Sequence, residues 1–123
     1  MTIGEVIQET NELMPNTVGE TQKIRWLRRL DEQITEEIVD THEKSAGYKR
    51  PDFEKYGMET ELVVDELHAE LYVSYLRMKI ALIQMESERY QLEYTNYNNQ
   101  LITYRNYYNR KHMATTKATP RYR

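Results

Sequence analysis

The sequence predicts an all-α protein: a small four-helix bundle with a short first helix, a long second helix and a C-terminal helical hairpin, together with a long loop between helices 2 and 3 and an extended C-terminal tail. Apolar residues recur at spacings of three and four along most of the chain, as on one face of a helix. The 123 residues include four glycines and three prolines, too few for the many turns of an all-β protein. A chain of this length buries about two-thirds of its unfolded surface, enough for one modest core.

The first helix is predicted over about residues 2–14. Thr2 and Glu5 have the spacing of a capping box, in which two residues satisfy unpaired amide groups at a helix start. Pro15 stops this helix because proline cannot continue the hydrogen-bonding pattern. Its apolar positions are Ile3, Val6, Ile7 and Leu13 or Met14.

The second helix is predicted over about residues 18–43, and it is the most clearly specified element of the chain. Thr17 and Glu20 repeat the capping-box spacing at its start. Trp26, the single tryptophan, lies just beside its apolar stripe. The stripe itself has helical spacing and consists of Ile24, Leu27, Leu30, Ile34 and Ile38.

The segment over residues 45–64 has no helical period and predicts a long loop. Connections of this length are unusual in small domains and tend to be functional. Three consecutive aliphatic residues, Leu62 to Val64, indicate a short extended piece that a neighbouring chain could pair with.

Two further helices are predicted over about residues 65–85 and 88–111. Their stripes each keep helical spacing, but the five-residue step from Met85 to Tyr90 breaks the period, which favours a hairpin with Ser87 as N-cap. The alternative is one helix of about 45 residues with a stutter. The two stripes are Leu67, Leu71, Tyr75, Met78, Leu82 and Met85, then Tyr90, Tyr94, Tyr97, Leu101, Tyr104 and Tyr108.

Charge is divided unevenly along the chain. Residues 1–70 hold 17 acids and 8 bases, whereas residues 71–123 hold 3 acids and 9 bases. Such asymmetry indicates either two surfaces that meet different surroundings or two halves that pair with each other. The eleven tyrosines leave a similar choice open, because those on the fourth stripe suit a thin hairpin core or a face buried against other copies.

The sequence contains no pattern typical of catalysis. It lacks cysteine, a phosphate-binding glycine loop and histidines at metal-ligand spacing, so we expect a protein that is not an enzyme and binds no cofactor or metal. The start, MTIGEVIQET, has no basic residue and is not typical of a signal peptide. Aliphatic runs are too short to span a membrane, so we expect no membrane association and production in a cytoplasm.

Four stretches of the chain carry a resemblance to a known family: MTIGEVIQETNELMPN, QKIRWLRRLDEQITEEI, DELHAELYVSYLRMKI and YNRKHM. Their order and spacing resemble those of the head–tail connector, or adaptor, proteins of tailed bacteriophages. One departure is VVDELHAELY before the third helix, where the family often carries a proline and an aromatic residue.

The resemblance implies a virion protein that forms a ring, usually of twelve copies, beneath the portal of the capsid. The ring would extend the DNA channel and present a docking surface for the stopper and tail, while double-stranded DNA passes through without sequence-specific binding. Residues 1–112 would form the connector domain and residues 113–123 a docking tail.

The resemblance also assigns roles to individual residues. The tail residues implied to reach the portal are Met113, Lys117, Pro120, Arg121, Tyr122 and Arg123. The loop residues implied to contact a neighbouring subunit are Tyr48, Arg50, Phe53, Tyr56, Leu62, Val63 and Val64. Acids expected to face the channel, where they would repel the DNA backbone, are Glu36, Glu37, Asp40 and Glu43.

Two other functions remain open at this point. The second helix carries Lys23, Arg25, Arg28 and Arg29 near its start, which a DNA-binding packaging or regulatory protein would use for phosphate contacts. Acids follow these bases along the same helix. The third possibility is a cytosolic helical module that binds one protein partner.

Overall fold

The computed structural model describes residues 1–40 and 50–116, with side chains described up to residue 111. It confirms an all-α fold with a four-helix arrangement. The helices are α1 (Ile3–Leu13), α2 (Glu20–Ile34), α3 (Glu70–Ile83) and α4 (Ser87–Thr116). A π-helical turn (Thr35–Val39) continues α2, and two 3₁₀ turns (Phe53–Lys55 and Glu66–His68) lie between α2 and α3.

The capping box at the start of α1 is confirmed. The Glu5 amide donates to Thr2 Oγ1 at 3.1 Å, and the Thr2 amide donates to Glu5 Oε1 at 2.9 Å. The second capping box is wrong, because α2 begins at Glu20 with Gly19 as its N-cap and no side-chain cap. The preceding turn is instead organised by Asn16, whose Oδ1 accepts from the Val18 amide at 3.0 Å.

The long second helix is present as α2 and its π-helical continuation, and the last predicted positions, 41–43, lie outside the described residues. Asp40 donates its amide to Thr35 O at 2.7 Å, the five-residue step of a π-turn. The predicted stripe is buried except for Ile24, which is half-buried. Trp26 is buried as well, so the buried face is wider than the stripe.

A break between the third and fourth helices is confirmed, and the single-helix alternative is wrong. Met85 adopts a left-handed conformation with φ 59°, and the Glu86 amide donates to Ala81 O at 3.0 Å, which closes the end of α3. Ser87 is the first residue of α4 rather than its N-cap. The helix continues past the predicted end at 111 to Thr116, so the first part of the predicted tail is helical.

The predicted stripe of the third helix is partly wrong. Leu67, Leu82 and Met85 are exposed, whereas residues off the stripe are buried. The physical reason is that α3 is the central helix and contacts α1, α2 and α4, so it buries more than one face. The buried off-stripe residues are Tyr72, Val73, Ser74, Leu76, Ile80 and Ala81. The predicted start at 65 is also early, since a 3₁₀ turn precedes α3.

The described part of the loop lies along the N-terminal residues of the same chain. The Ile3 amide donates to Thr60 O at 3.0 Å, and the Leu62 amide donates to Met1 O at 3.0 Å. The Gly4 amide donates to Met58 O at 2.8 Å, and a Cβ on this glycine would meet the same oxygen at 3.0 Å, so the close approach favours glycine. The extended piece at Leu62 therefore pairs with the N-terminal residues of its own chain.

Candidate interaction surfaces

A buried carboxylate anchors the loop to the helices. Asp31 on α2 is 0% exposed. Its Oδ1 accepts from the hydroxyl of Tyr72 on α3, and its Oδ2 accepts from the hydroxyl of Tyr56 in the loop at 2.5 Å. The Val63 amide also donates to Oδ2, at 3.1 Å. One side chain thus joins α2, α3 and two points of the loop.

The electrostatics of this anchor follow from its burial. Removal from water raises the pKa of Asp31 above its usual value, while the hydrogen bonds from Tyr56, Tyr72 and Val63 act in the opposite direction. Burial, and then the neighbouring Asp31 carboxylate, raise the pKa of Tyr72. The Tyr72 hydroxyl also accepts from the Val64 amide at 3.0 Å. Among the described residues, the donors to this carboxylate are all neutral, so hydrogen bonds rather than an ion pair hold it.

The structure places most of the predicted inter-subunit loop residues against their own chain. Phe53, Leu62 and Val64 are buried in the chain itself, so their side chains do not form a free surface. Tyr56 is half-buried at the Asp31 anchor, and Val63 is half-buried beside it. Arg50 is exposed. Tyr48 lies outside the described residues.

Two of the predicted channel-facing acids are paired with a base of the loop. Arg50 Nη1 lies 3.1 Å from Asp40 Oδ2, and its Nη2 lies 3.4 Å from Glu36 Oε2. Glu37 is exposed and accepts from Gln33 Nε2 at 3.4 Å. Glu43 lies outside the described residues. Arg50 therefore offsets part of the negative charge that the sequence places at this end of α2.

The predicted docking tail is described only at its start. Met113 lies in the last turns of α4, so its backbone is helical rather than extended. Lys117, Pro120, Arg121, Tyr122 and Arg123 lie outside the described residues. The bases Arg105 and Arg110 on the preceding part of α4 are exposed.

The tip of the α3–α4 hairpin is an exposed apolar surface, although Leu82 and Met85 belong to the predicted stripe of the third helix. Leu82 is 53% exposed, Ile83 54% and Met85 87%. Leu82, Met85 and Tyr90 line a shallow groove of about 100 Å³ at this tip. All residues from 82 to 89 are exposed, so the tip projects beyond the packed body. Clustered exposed apolar side chains of this kind are typical of protein contact sites.

A second surface, which we call the cation–aromatic face, combines three cations with three aromatic rings from α2, α3 and α4. Lys79 Nζ lies 5.6 Å from the Trp26 ring centroid and 5.8 Å from that of Tyr75. The ring centroids of Tyr75 and Tyr97 are 5.1 Å apart. Arg29 and Arg105 are close enough to lower the pKa of Tyr75 and Tyr97, respectively, against the larger effect of burial. The residues of the face are Trp26, Arg29, Tyr75, Lys79, Tyr97 and Arg105.

The hairpin stem contains a buried ion pair. Arg77 Nη2 on α3 lies 2.7 Å from Glu93 Oε2 on α4, and the Glu93 side chain is 2% exposed. Arg77 Nε and Glu93 Oε1 have no hydrogen-bond partner among the side chains that the structure describes. Rotation of the carboxylate toward a side-on, two-bond arrangement would satisfy both atoms. This pair fixes the register of α4 along α3, and neither apolar stripe predicts it.

Neither a metal cluster nor a membrane span is found in the described part of the chain. Over residues 1–40 and 50–116, no three histidine or carboxylate residues group in a way that could hold a metal ion. None of the helices described there is both long and apolar enough to cross a bilayer.

Comparison with known proteins finds no match. No protein family, no curated protein and no solved structure shows significant similarity to this chain.

Proposed function

We propose that this protein is a structural virion protein, a head–tail connector that assembles as a ring of about twelve copies on the portal of a tailed bacteriophage. The ring extends the DNA channel and offers a docking surface for the stopper or tail. Its location is the head–tail interface of the virion, after assembly in the host cytoplasm. The order and spacing of the four family-like stretches support this identity.

The observation that carries the proposal is the placement of two features at opposite ends of α4. The helix has 30 residues, which corresponds to a length of about 45 Å. Its first residue, Ser87, lies at the exposed apolar hairpin tip, and its last, Thr116, leads into the basic residues of the predicted tail. A subunit that bridges two bodies needs a separate contact surface toward each of them.

This placement assigns a direction to the subunit. If the residues after Thr116 reach the portal, the hairpin tip faces away from it, toward the stopper. Leu82, Ile83 and Met85 then form the apolar centre of the stopper contact, where aliphatic side chains gain most from burial.

The acids at the end of α2 support a more limited part of the proposal. An acidic lumen repels the DNA backbone and lets the duplex slide, whereas a basic lumen would bind it through phosphate contacts. Of the predicted channel-facing acids that the structure describes, Glu37 is exposed and has no basic partner among the described residues, while Glu36 and Asp40 share Arg50. We assign Glu37 the largest share of the lumen's negative potential.

The test is binding to portal-bearing, DNA-filled capsids of the source phage, imaged by electron cryomicroscopy. The full chain is compared with a chain ending at Thr116, which keeps all of α4. We expect a ring of density below the portal with the full chain and none with the shortened chain. A folded full chain that adds no density would contradict the connector function, and steeply salt-dependent binding to free duplex DNA would favour the DNA-binding alternative.

A second comparison tests the assigned direction. Leu82→Glu changes a leucine at the hairpin tip that is 53% exposed, and Leu13→Glu changes a leucine on α1 that is 55% exposed, so the pair is matched for exposure. We expect both variants to form the ring, but only Leu82→Glu to block addition of the stopper. Equal stopper addition to both rings would contradict the assignment of the tip.

A further inference from the structure

The cations of the cation–aromatic face lack carboxylate partners within the described residues. Lys79 lies over two aromatic rings, and Arg29 lies near Tyr75, but neither forms an ion pair with a described acid. Arg105 is exposed on α4 and is likewise without such a partner. A cation held against aromatic rings keeps its positive charge available on the outward side. The face is therefore complementary to a surface that presents carboxylates.

Such a surface exists on α1, whose sequence, IGEVIQETNEL, contains three acids and no base. Glu5, Glu9 and Glu12 line a concave region of about 310 Å³ together with Glu66 of the turn before α3. The amino group of Met1 pairs with Glu66 at 2.7 Å. Glu9 and Glu12 have no basic partner among the described residues. We call Glu5, Glu9 and Glu12 the acidic α1 face.

Glu9 shows that these carboxylates repel one another. Partial burial raises its pKa, and the nearby carboxylates of Glu70 and Glu12 raise it further. A cation brought against this face would relieve the repulsion. The acidic α1 face is thus suited to a basic partner, and the cation–aromatic face is suited to an acidic partner.

We propose that the cation–aromatic face of one copy binds the acidic α1 face of a second copy. The ring in which this contact would operate rests on the proposed connector function, but the contact itself is a property of the free chain. The two faces share no residue, so the association is head-to-tail. Head-to-tail contacts produce rings when the rotation between copies closes.

DNA fits the cation–aromatic face less well. The Trp26 ring is 8% exposed, so it is not available to stack on a base. Three cations also form a small site compared with the basic grooves of nucleic-acid-binding proteins.

The test uses two full-length charge-reversal variants and NMR titration of ¹⁵N-labelled protein with unlabelled protein, which detects even millimolar association. Arg29→Glu with Lys79→Glu reverses the cation–aromatic face, and Glu9→Lys with Glu12→Lys reverses the acidic α1 face. Like charges then oppose each other, so we expect each variant alone to self-associate at least about tenfold more weakly than the natural chain.

A mixture of the two variants provides the decisive result. In the mixture, every reversed face meets a face of opposite charge, so association should return to about the natural strength. Each variant's folding is checked separately by circular dichroism. Lys55→Glu, in the 3₁₀ turn of the loop, is the control and should leave self-association unchanged because Lys55 belongs to neither face.

Three results would overturn the contact. In the first, the natural chain shows no concentration-dependent NMR shifts, or shows them only outside both faces. In the second, the single-face variants associate as strongly as the natural chain. In the third, the mixture of the two variants associates no more strongly than either variant alone. Duplex DNA that shifts the Arg29 and Lys79 signals while unlabelled protein does not would assign the face to nucleic acid. The capsid experiment with the natural chain reports the connector function separately, so either proposal can fail while the other stands.

Discussion

The loop and the hairpin tip connect consecutive elements of the same small fold, yet they are built in opposite ways. Polar groups of the loop are satisfied within the chain. The Tyr56 hydroxyl and the Val63 amide of the loop both donate to the buried carboxylate of Asp31 on α2. At the hairpin tip, aliphatic side chains remain in water, and Met85 is 87% exposed. Directional hydrogen bonds hold the loop to its own chain, whereas the tip exposes apolar side chains to solvent.

The difference shows that a long segment of irregular sequence can be held closely against its own chain. The described residues of the long loop form hydrogen bonds with the N-terminal residues of their own chain. The hairpin turn is short and leaves residues 82–89 exposed. Exposure of apolar area, rather than loop length, distinguishes the two.

Removal of the loop anchor should have the largest effect. Asp31→Ala leaves two tyrosine hydroxyls and one amide without an acceptor in the interior, and each unsatisfied buried group costs about 1–3 kcal/mol. We expect a loss of about 3–5 kcal/mol in the free energy of unfolding, measured by urea denaturation. Tyr72→Phe removes one of the donors and should cost about 1–2 kcal/mol. If Asp31→Ala lowered the free energy of unfolding by less than Tyr72→Phe does, the carboxylate would not be what holds the loop.

Disruption of the ion pair in the hairpin stem should have the next largest effect. Arg77→Met leaves the Glu93 carboxylate buried without a partner, and we expect a loss of about 2–4 kcal/mol because the arginine side chain is itself partly exposed. Adding Glu93→Leu removes the buried charge and should recover most of that loss. Urea denaturation of the single and double variants checks this, and a double variant no more stable than Arg77→Met would contradict it.

The pH dependence of the anchor has a definite sign. Burial raises the pKa of Asp31 in the folded chain above 3.8, so the folded state holds this proton more tightly than the unfolded state. The contribution of Asp31 to stability is therefore greatest below about pH 3.8, and it falls as the pH rises through the pKa of the folded state. Relative to Asp31→Asn, which does not titrate, the natural chain should lose stability as the pH increases from about 4 to 8. Parallel urea midpoints for the two proteins across this range would exclude the shift.

The smallest effect is expected at the hairpin turn. Met85 has φ 59°, a conformation that glycine adopts without strain, so Met85→Gly should raise the free energy of unfolding by about 0.5 kcal/mol. Met85→Ala removes the same exposed side chain but keeps the strain, and it is the matched control. Thermal unfolding should place glycine above alanine. The reverse order would mean that the turn is not strained.

Local sequence patterns predicted the elements that depend on neighbouring residues in the chain. The Thr2–Glu5 capping box is present because its partners are three residues apart. The break before Ser87 is present because the five-residue step from Met85 to Tyr90 would put Arg89 on the apolar seam of a continuous helix. Burial of Leu27, Leu30 and Ile34 likewise follows from helical spacing.

The tertiary structure decided everything that depends on residues distant in sequence. Apolar spacing cannot show that α3 lies in the centre and buries Tyr72 and Leu76 as well as its stripe, because that depends on which helices surround it. The Asp31 anchor joins positions 25 to 41 residues apart, and Lys79 meets Trp26 across two helices. The sequence by itself determined an all-α chain with a C-terminal hairpin, because helix formation and termination depend on local spacing and capping. The loop's closure, the exposure of the hairpin tip and the cation–aromatic face emerged only from packing, which brings distant side chains together and leaves others without cover.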